Sequence, residues 1–179
     1  MFERKPEVDQ ILIEENRVAE RVRDLGQEIS RDYKGRQPLM VGILRGAVVF
    51  LADLIRHLEL NLRVDFMSVA SYGSATDSSG EVRLVKDLES SILGADVILV
   101  EDIVDTGLTL DYLLRNLENH RPGSLRVCSL LSKPDRRRVE VPVDYLGFEV
   151  PDKFVVGYGL DFNQQFRNLP HIAVLNQDS

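Results

Sequence analysis

The spacing of hydrophobic positions changes several times along this chain, and each change marks an element. Val18, Val22, Leu25 and Ile29 follow one another at intervals of four, three and four. That spacing places them on one face of a helix, here spanning residues 16–33, with Gly35 as its stop. Ile11, Leu12 and Ile13 before it read as a short strand. Leu39–Leu44 is apolar throughout and reads as a buried strand, Arg45 and Gly46 as a turn, and residues 47–58 as a helix. Residues 62–70 alternate or run apolar, a further strand. Residues 71–80, SYGSATDSSG, lack any hydrophobic period and read as a flexible loop. Residues 97–100 form another fully apolar run, and Leu110, Asp111, Tyr112, Leu113 and Leu114 read as a helix. Residues 125–131, 143–148, 154–158 and 172–175 are the remaining strand candidates.

Strands that alternate with helices predict an α/β fold, a parallel sheet covered by helices on both faces. Ligands of such sheets bind beyond the carboxyl ends of the strands. The loops after Leu44, Ala70, Val100 and Leu131 should therefore share one rim. A length of 179 residues suits one domain, residues 1–179, with a substantial core. Hydrophobic content of 44% with 28% charged residues is that of a soluble globular protein. The net charge of −7, with no basic run longer than Arg136-Arg137-Arg138, argues against nucleic acid as the main partner. Cys128 is the one cysteine, so no disulfide can form within the chain, which fits a reducing compartment. Residues 1–6 show no signal-peptide pattern and no apolar stretch is long enough for a bilayer, so a cytoplasmic location without membrane attachment is expected. His57, His120 and His171 share no metal-ligand spacing and receive no role.

Candidate chemistry concentrates in residues 97–109. The apolar strand Val97, Ile98, Leu99, Val100 ends in the adjacent carboxylates Glu101 and Asp102, followed by Ile103 and Val104. Then come Asp105, Thr106, Gly107, Leu108 and Thr109, small and hydroxylated, opening into the helix. A strand, a tight loop of N–H groups and hydroxyls, and a helix N-terminus together make a phosphate cradle. The acidic pair beside it suits a ribose diol or a divalent cation. An acidic pair at a strand end is, by itself, more often an ordinary turn with a helix cap. The whole string is far more specific, and it points to a phosphorylated ribose.

This string resembles the phosphoribosyl-pyrophosphate motif of the type I phosphoribosyltransferases, and residues 11–175 resemble the hypoxanthine-guanine members of that family. The resemblance implies a twisted parallel sheet with helices on both faces and a small hood built from the chain ends. It implies that Ile103, Val104, Asp105, Thr106, Gly107, Leu108 and Thr109 surround the 5′-phosphate, and that Glu101 and Asp102 hold the ribose hydroxyls directly or through Mg²⁺. Asp105 would be the catalytic group, moving a proton at N7 of the purine. Leu44, Arg45 and Gly46 match the pyrophosphate loop, whose first peptide is a non-proline cis bond in the family. Many members have Lys where this chain has Arg45 and Gly where it has Ala47. Arg still supplies donors for pyrophosphate.

Further along, Ser71 and Tyr72 match a lid that excludes water. Lys133 matches the contact to the purine 6-oxygen, which favours a 6-oxo group over the 6-amino group of adenine. Lys153 and Phe154 would frame the base, with Phe154 stacking on it and Val155 bonding it through its backbone. Asp161 would approach a second Mg²⁺ and the purine 2-position, and Arg167 the pyrophosphate. The implied activity is purine salvage: transfer of the 5-phosphoribosyl group from phosphoribosyl pyrophosphate to hypoxanthine or guanine, giving IMP or GMP and pyrophosphate, by a homodimer or homotetramer. Xanthine as the base stays open at this stage. A nucleotide-sensing regulator of the same fold would need a basic face or an added DNA-binding domain, and a non-catalytic relative would not need Asp105, Lys133 and Asp161 together.

Overall fold

The computed structural model describes residues 8–72 and 81–176. Its elements are β1 (Val8–Ile13), α1 (Glu15–Asp32), β2 (Leu39–Leu44), α2 (Val48–Ile55), β3 (Arg63–Tyr72), β4 (Glu81–Lys86), β5 (Asp96–Val104), α3 (Leu108–Asn119), β6 (Ser124–Ser132), β7 (Tyr145–Glu149), β8 (Val155–Val156) and β9 (Ile172–Leu175). Among the described residues, six strands form the main sheet in the order β4-β3-β2-β5-β6-β7, and three form a second sheet in the order β1-β9-β8. In the main sheet every pairing is parallel except β3 with β4. The small sheet is antiparallel and joins the two ends of the chain into a hood, as the resemblance implies.

Two apolar layers follow from the alternation of side chains along buried strands. In β5, Ile98 and Val100 face a cluster made with Val22, Leu25 and Ile29 of α1 and Phe50, Leu51 and Leu54 of α2. Val97 and Leu99 face the opposite cluster, made with Leu110, Leu113 and Leu117 of α3. The same α1–α2 layer continues into the hood through Val155, Tyr158 and Ile172. One packed body thus fixes the hood over the carboxyl ends of the strands.

The chain runs outward from β2 to β3 on one side and from β5 to β6 on the other. The reversal lies between β2 and β5, whose pairs include Leu39 with Val97 and Gly42 with Val100. Such a switch point opens a crevice where the two following loops diverge. Here those loops are the Arg45 turn and the segment leading into α3.

Several boundaries differ from the sequence expectation. β5 continues through Val104, with Glu101 opposite Ser129 and Ile103 opposite Leu131 in β6, so Glu101 and Asp102 lie within the strand rather than after it. Ser71 and Tyr72 belong by backbone to β3, paired with β4, rather than to a loop. The rest of the expected flexible stretch, residues 73–80, lies outside the described residues. The strand expected over 154–158 shrinks to Val155–Val156, because Gly157 (φ +99°) and Tyr158 (φ +49°) turn the backbone out of the extended region. β4 was not foreseen at all. α2 starts at Val48 and ends at Ile55, shorter at both ends than the apolar pattern suggests.

Candidate active site

The first wall of the site is the loop between β5 and α3. Gly107 caps α3 with φ +87°, in the left-handed region where glycine carries no penalty. A Cβ there would also sit 2.4 Å from the Val139 carbonyl oxygen, so both backbone and space demand glycine. Gly107 has no side chain to cap α3; the Leu108 N–H donates to Thr106 Oγ1 at 3.4 Å, and the next N–H groups of the first turn are left for a ligand anion. The Thr106 carbonyl accepts hydrogen bonds from the N–H groups of Arg138 (2.9 Å) and Val139 (3.2 Å), fixing the loop from behind. A cavity of about 220 Å³ is lined by Ile43 and by Glu101, Asp102, Ile103, Val104, Asp105, Thr106, Gly107, Thr109 and Leu110. Nearly the whole sequence string thus surrounds one space.

Two carboxylates line its floor. Glu101 is buried, and burial together with the neighbouring Asp102 charge pushes its carboxyl well above the usual range. Burial likewise raises Asp102, to about 6, against opposing help from backbone N–H groups and Arg167. The Arg45–Gly46 turn lies directly on this floor: a Cβ on Gly46 would fall 1.7 Å from Asp102 Oδ2. The Leu44–Arg45 peptide is cis.

A second wall comes from the hood. Arg45 Nη1 donates to Gln164 Oε1 at 2.8 Å, and Arg167 Nη2 donates to the same oxygen at 3.3 Å. Arg167 also pairs with Asp161 at 2.8 Å and donates to the Gly159 carbonyl at 2.7 Å. The other Asp161 oxygen accepts from the Gln164 N–H at 2.8 Å. Two guanidinium groups from distant parts of the chain therefore meet at one neutral amide, with the Asp161 carboxylate paired to Arg167. Gln164 was not singled out from sequence. Its backbone sits at φ +64° in a turn whose shape no local pattern announces.

The third wall is assembled after β6. Lys133 is buried, and its backbone N–H donates to the Val104 carbonyl at 2.9 Å, which seats it beside the cradle. Burial lowers the affinity of its ammonium for the proton, and the Asp105 charge works in the opposite sense. Asp105 Oδ1 accepts a hydrogen bond from Arg136 Nε at 2.7 Å, and Arg136 Nη1 reaches Asp152 Oδ1 at 3.4 Å. Phe154 stays 39% exposed, its ring edge-on to Phe162 with centroids 5.5 Å apart. Val155 is buried beside it, and Lys153 lies exposed on the approach. Arg136 entered the sequence reading only as part of a basic run; the structure makes it the partner of Asp105.

Nothing is described of the Ser71 and Tyr72 side chains, so their expected lid role lies outside the described residues. Among the described residues, no three His, Cys, Asp or Glu side chains converge as a metal cage. Glu101 and Asp102 stand together, while Asp161 is engaged by Arg167 and the Gln164 N–H. A larger cavity of about 600 Å³ lies between α1, α2 and the hood, lined in part by Asp53, His57, Tyr158 and Arg167. None of the loop between β5 and α3 lines it. No described helix is long and apolar enough to cross a membrane.

Comparison with known proteins agrees with this geometry. Residues 7–163 match the model of the phosphoribosyl transferase domain. The chain is 46% identical over 171 residues to the hypoxanthine-guanine phosphoribosyltransferase of Bacillus subtilis, covering 96% of this chain and 95% of that one. The crystal structure of a hypoxanthine-guanine phosphoribosyltransferase from Bacillus anthracis superposes with a TM-score of 0.90 at 45% identity, over 94% of this chain and 99% of that chain. A hypoxanthine phosphoribosyltransferase from Staphylococcus aureus also gives a TM-score of 0.90, at 41% identity over 94% of this chain and 92% of that chain.

Proposed function

The chain belongs to the phosphoribosyl transferase family, and from that premise we propose that it transfers the 5-phosphoribosyl group of phosphoribosyl pyrophosphate to hypoxanthine or guanine in purine salvage. The products are IMP or GMP and pyrophosphate. One observation carries the assignment: the buried Lys133 and the Asp105 carboxylate stand at the edge of the phosphate cradle, held there by the Lys133 N–H to Val104 carbonyl bond. On this reading a phosphoribosyl group in the cradle meets a base whose 6-position faces the Lys133 ammonium. A 6-oxo group accepts from an ammonium; an exocyclic amine does not.

The loop N–H groups, Thr106, Thr109 and the α3 N-terminus hold the 5′-phosphate. Glu101 and Asp102 take the ribose hydroxyls. As the bond from C1′ to the pyrophosphate oxygen breaks, its electron pair leaves with pyrophosphate, and purine N9 forms the new bond to C1′. Arg45 and Arg167 stabilise the departing charge. The proton on N7 passes to the Asp105 carboxylate. Phe154 lies against the ring face, and Val155 and Asp161 border the 2-position.

Magnesium fits the donor set: Glu101 and Asp102 are hard oxygen ligands whose charges burial disfavours, and magnesium needs only one or two carboxylates beside substrate phosphates and water. When bound, the ion would add further neutralisation of the pyrophosphate. A single buried thiol suits a cytoplasmic enzyme.

Product formation with phosphoribosyl pyrophosphate, Mg²⁺ and hypoxanthine, guanine, xanthine or adenine in turn tests the proposal. Turnover with the first two and none with adenine is the expected result. Binding of phosphoribosyl pyrophosphate without turnover on any base would overturn it.

A further inference from the structure

Asp105 has two carboxylate oxygens, and the structure treats them differently. Oδ1 is held by Arg136 Nε at 2.7 Å. Among the described residues Oδ2 accepts no hydrogen bond. Arg136 extends from the short 3₁₀ turn Pro134–Arg136 that follows Lys133. Its other end reaches Asp152, two residues before Phe154. One guanidinium thus ties the carboxylate at the cradle to the hood turn that carries the aromatic face of the base pocket.

Resting on the function proposed above, we infer that Arg136 is a positioning residue for the reaction: it fixes the plane of the Asp105 carboxylate so that Oδ2 alone is presented to purine N7. A carboxylate held at one oxygen by the planar guanidinium loses rotational freedom about its side chain. The remaining oxygen is then aimed before substrate arrives, and that aim is what proton transfer requires. Lys133 senses the same arrangement, with Asp105 attracting its ammonium and Arg136 repelling it. Arg136 and Lys133 therefore flank Asp105 as two cations serving different edges of the base. The ion pair is about two-fifths exposed on both sides, so it adds little to folding stability. Its effect should appear in the chemistry and hardly in the melting temperature.

The experiment compares Arg136→Gln and Arg136→Lys with the parent enzyme and places Arg136→Gln also in the Asp105→Asn background. Steady-state kinetics with hypoxanthine at saturating phosphoribosyl pyrophosphate are read beside the inhibition constant of 7-deazahypoxanthine, which lacks N7. Arg136→Gln should lower kcat by about tenfold, with Arg136→Lys recovering a large part of it. Inhibition by 7-deazahypoxanthine and the affinity for phosphoribosyl pyrophosphate should stay within about twofold. In the Asp105→Asn background the Arg136 substitution should add nothing, since both act through one carboxylate. Unchanged or raised turnover in Arg136→Gln overturns the inference, as does a full additional loss in the double variant. An equal weakening of the 7-deaza inhibitor likewise marks a merely structural role and overturns it. A parent enzyme inactive on every purine would refute the proposed function, a result distinct from any of these.

Discussion

In the proposed function, residues 101–109 supply the phosphate side of the site from one continuous segment, whereas the base side adds Lys133, Arg136 and Phe154 from separate loops to the Asp105 of that segment. The phosphate side works largely through backbone: N–H groups, a left-handed glycine and a helix end. The base side works through side chains, a buried ammonium and an ion-paired carboxylate. The difference follows from the ligands. A phosphate presents the same oxygens from every direction, and a short loop of amides satisfies it. A purine presents distinct edges, and each edge needs a group arriving from its own direction.

Substitutions can test that division. The largest effect belongs to Asp105→Asn on the base side. Turnover should fall by about 10²–10⁴-fold through loss of the proton acceptor, while calorimetric binding of phosphoribosyl pyrophosphate changes little. A variant that turns over like the parent would remove Asp105 from proton transfer. Next is Gly107→Ala on the phosphate side, which forces a side chain into a left-handed position and against the Val139 carbonyl. The affinity for phosphoribosyl pyrophosphate should weaken by about 5- to 150-fold, from strain on the order of 1–3 kcal/mol, with hypoxanthine discrimination intact. Altered base preference in that variant would show that the two sides are not separable.

Lys133→Gln comes third. Its amide can accept as well as donate, so the preference for hypoxanthine over adenine in kcat/KM should shrink by about 10–100-fold. Competition between the two bases measures this directly, and an unaltered ratio would assign specificity elsewhere. The smallest effect concerns stability. Asp102 is raised by burial from its ordinary value to about 6. Between the unfolded value and about 6 the folded form holds a proton that the unfolded form has lost, so stability falls as pH rises through that window. Asp102→Asn removes this cost, on the order of 3 kcal/mol, and the ligand-free protein should melt several degrees higher at pH 7.5 than the parent. Equal melting at pH 5 and pH 7.5 in the parent would contradict the raised carboxyl.

The same division explains how much could be read in advance. Locally encoded features were legible: the α1 period, the bounds of β2 and β9, and the string around the cradle. β4 escaped notice although Glu81–Lys86 alternates in type. It is an edge strand in which Val82, Leu84 and Lys86 are partly buried while Arg83 and Val85 stay exposed, and its charges mask the apolar positions. The end of β5 was set four residues early because two carboxylates look like a terminus, while pairing with β6 carries the strand onward. Gln164 and Arg136 were invisible for another reason. Each gains its role only from a partner far along the chain, Arg45 in one case and Asp105 in the other. The phosphoribosyl-transferase resemblance supplied positions such as Lys133 and Asp161 that spacing alone would have left as surface charges.

The bond from the Lys133 N–H to the Val104 carbonyl and the two bonds received by the Thr106 carbonyl have a thermodynamic consequence. They fasten the segment after β6 to the cradle, so ordering either one restrains the other. Phosphoribosyl pyrophosphate should then raise the affinity for the purine, and the purine must raise the affinity for phosphoribosyl pyrophosphate by the same factor. Reciprocity of that kind makes the two substrates each other's effectors within a single site, and it would be visible as equal coupling whichever ligand is titrated first.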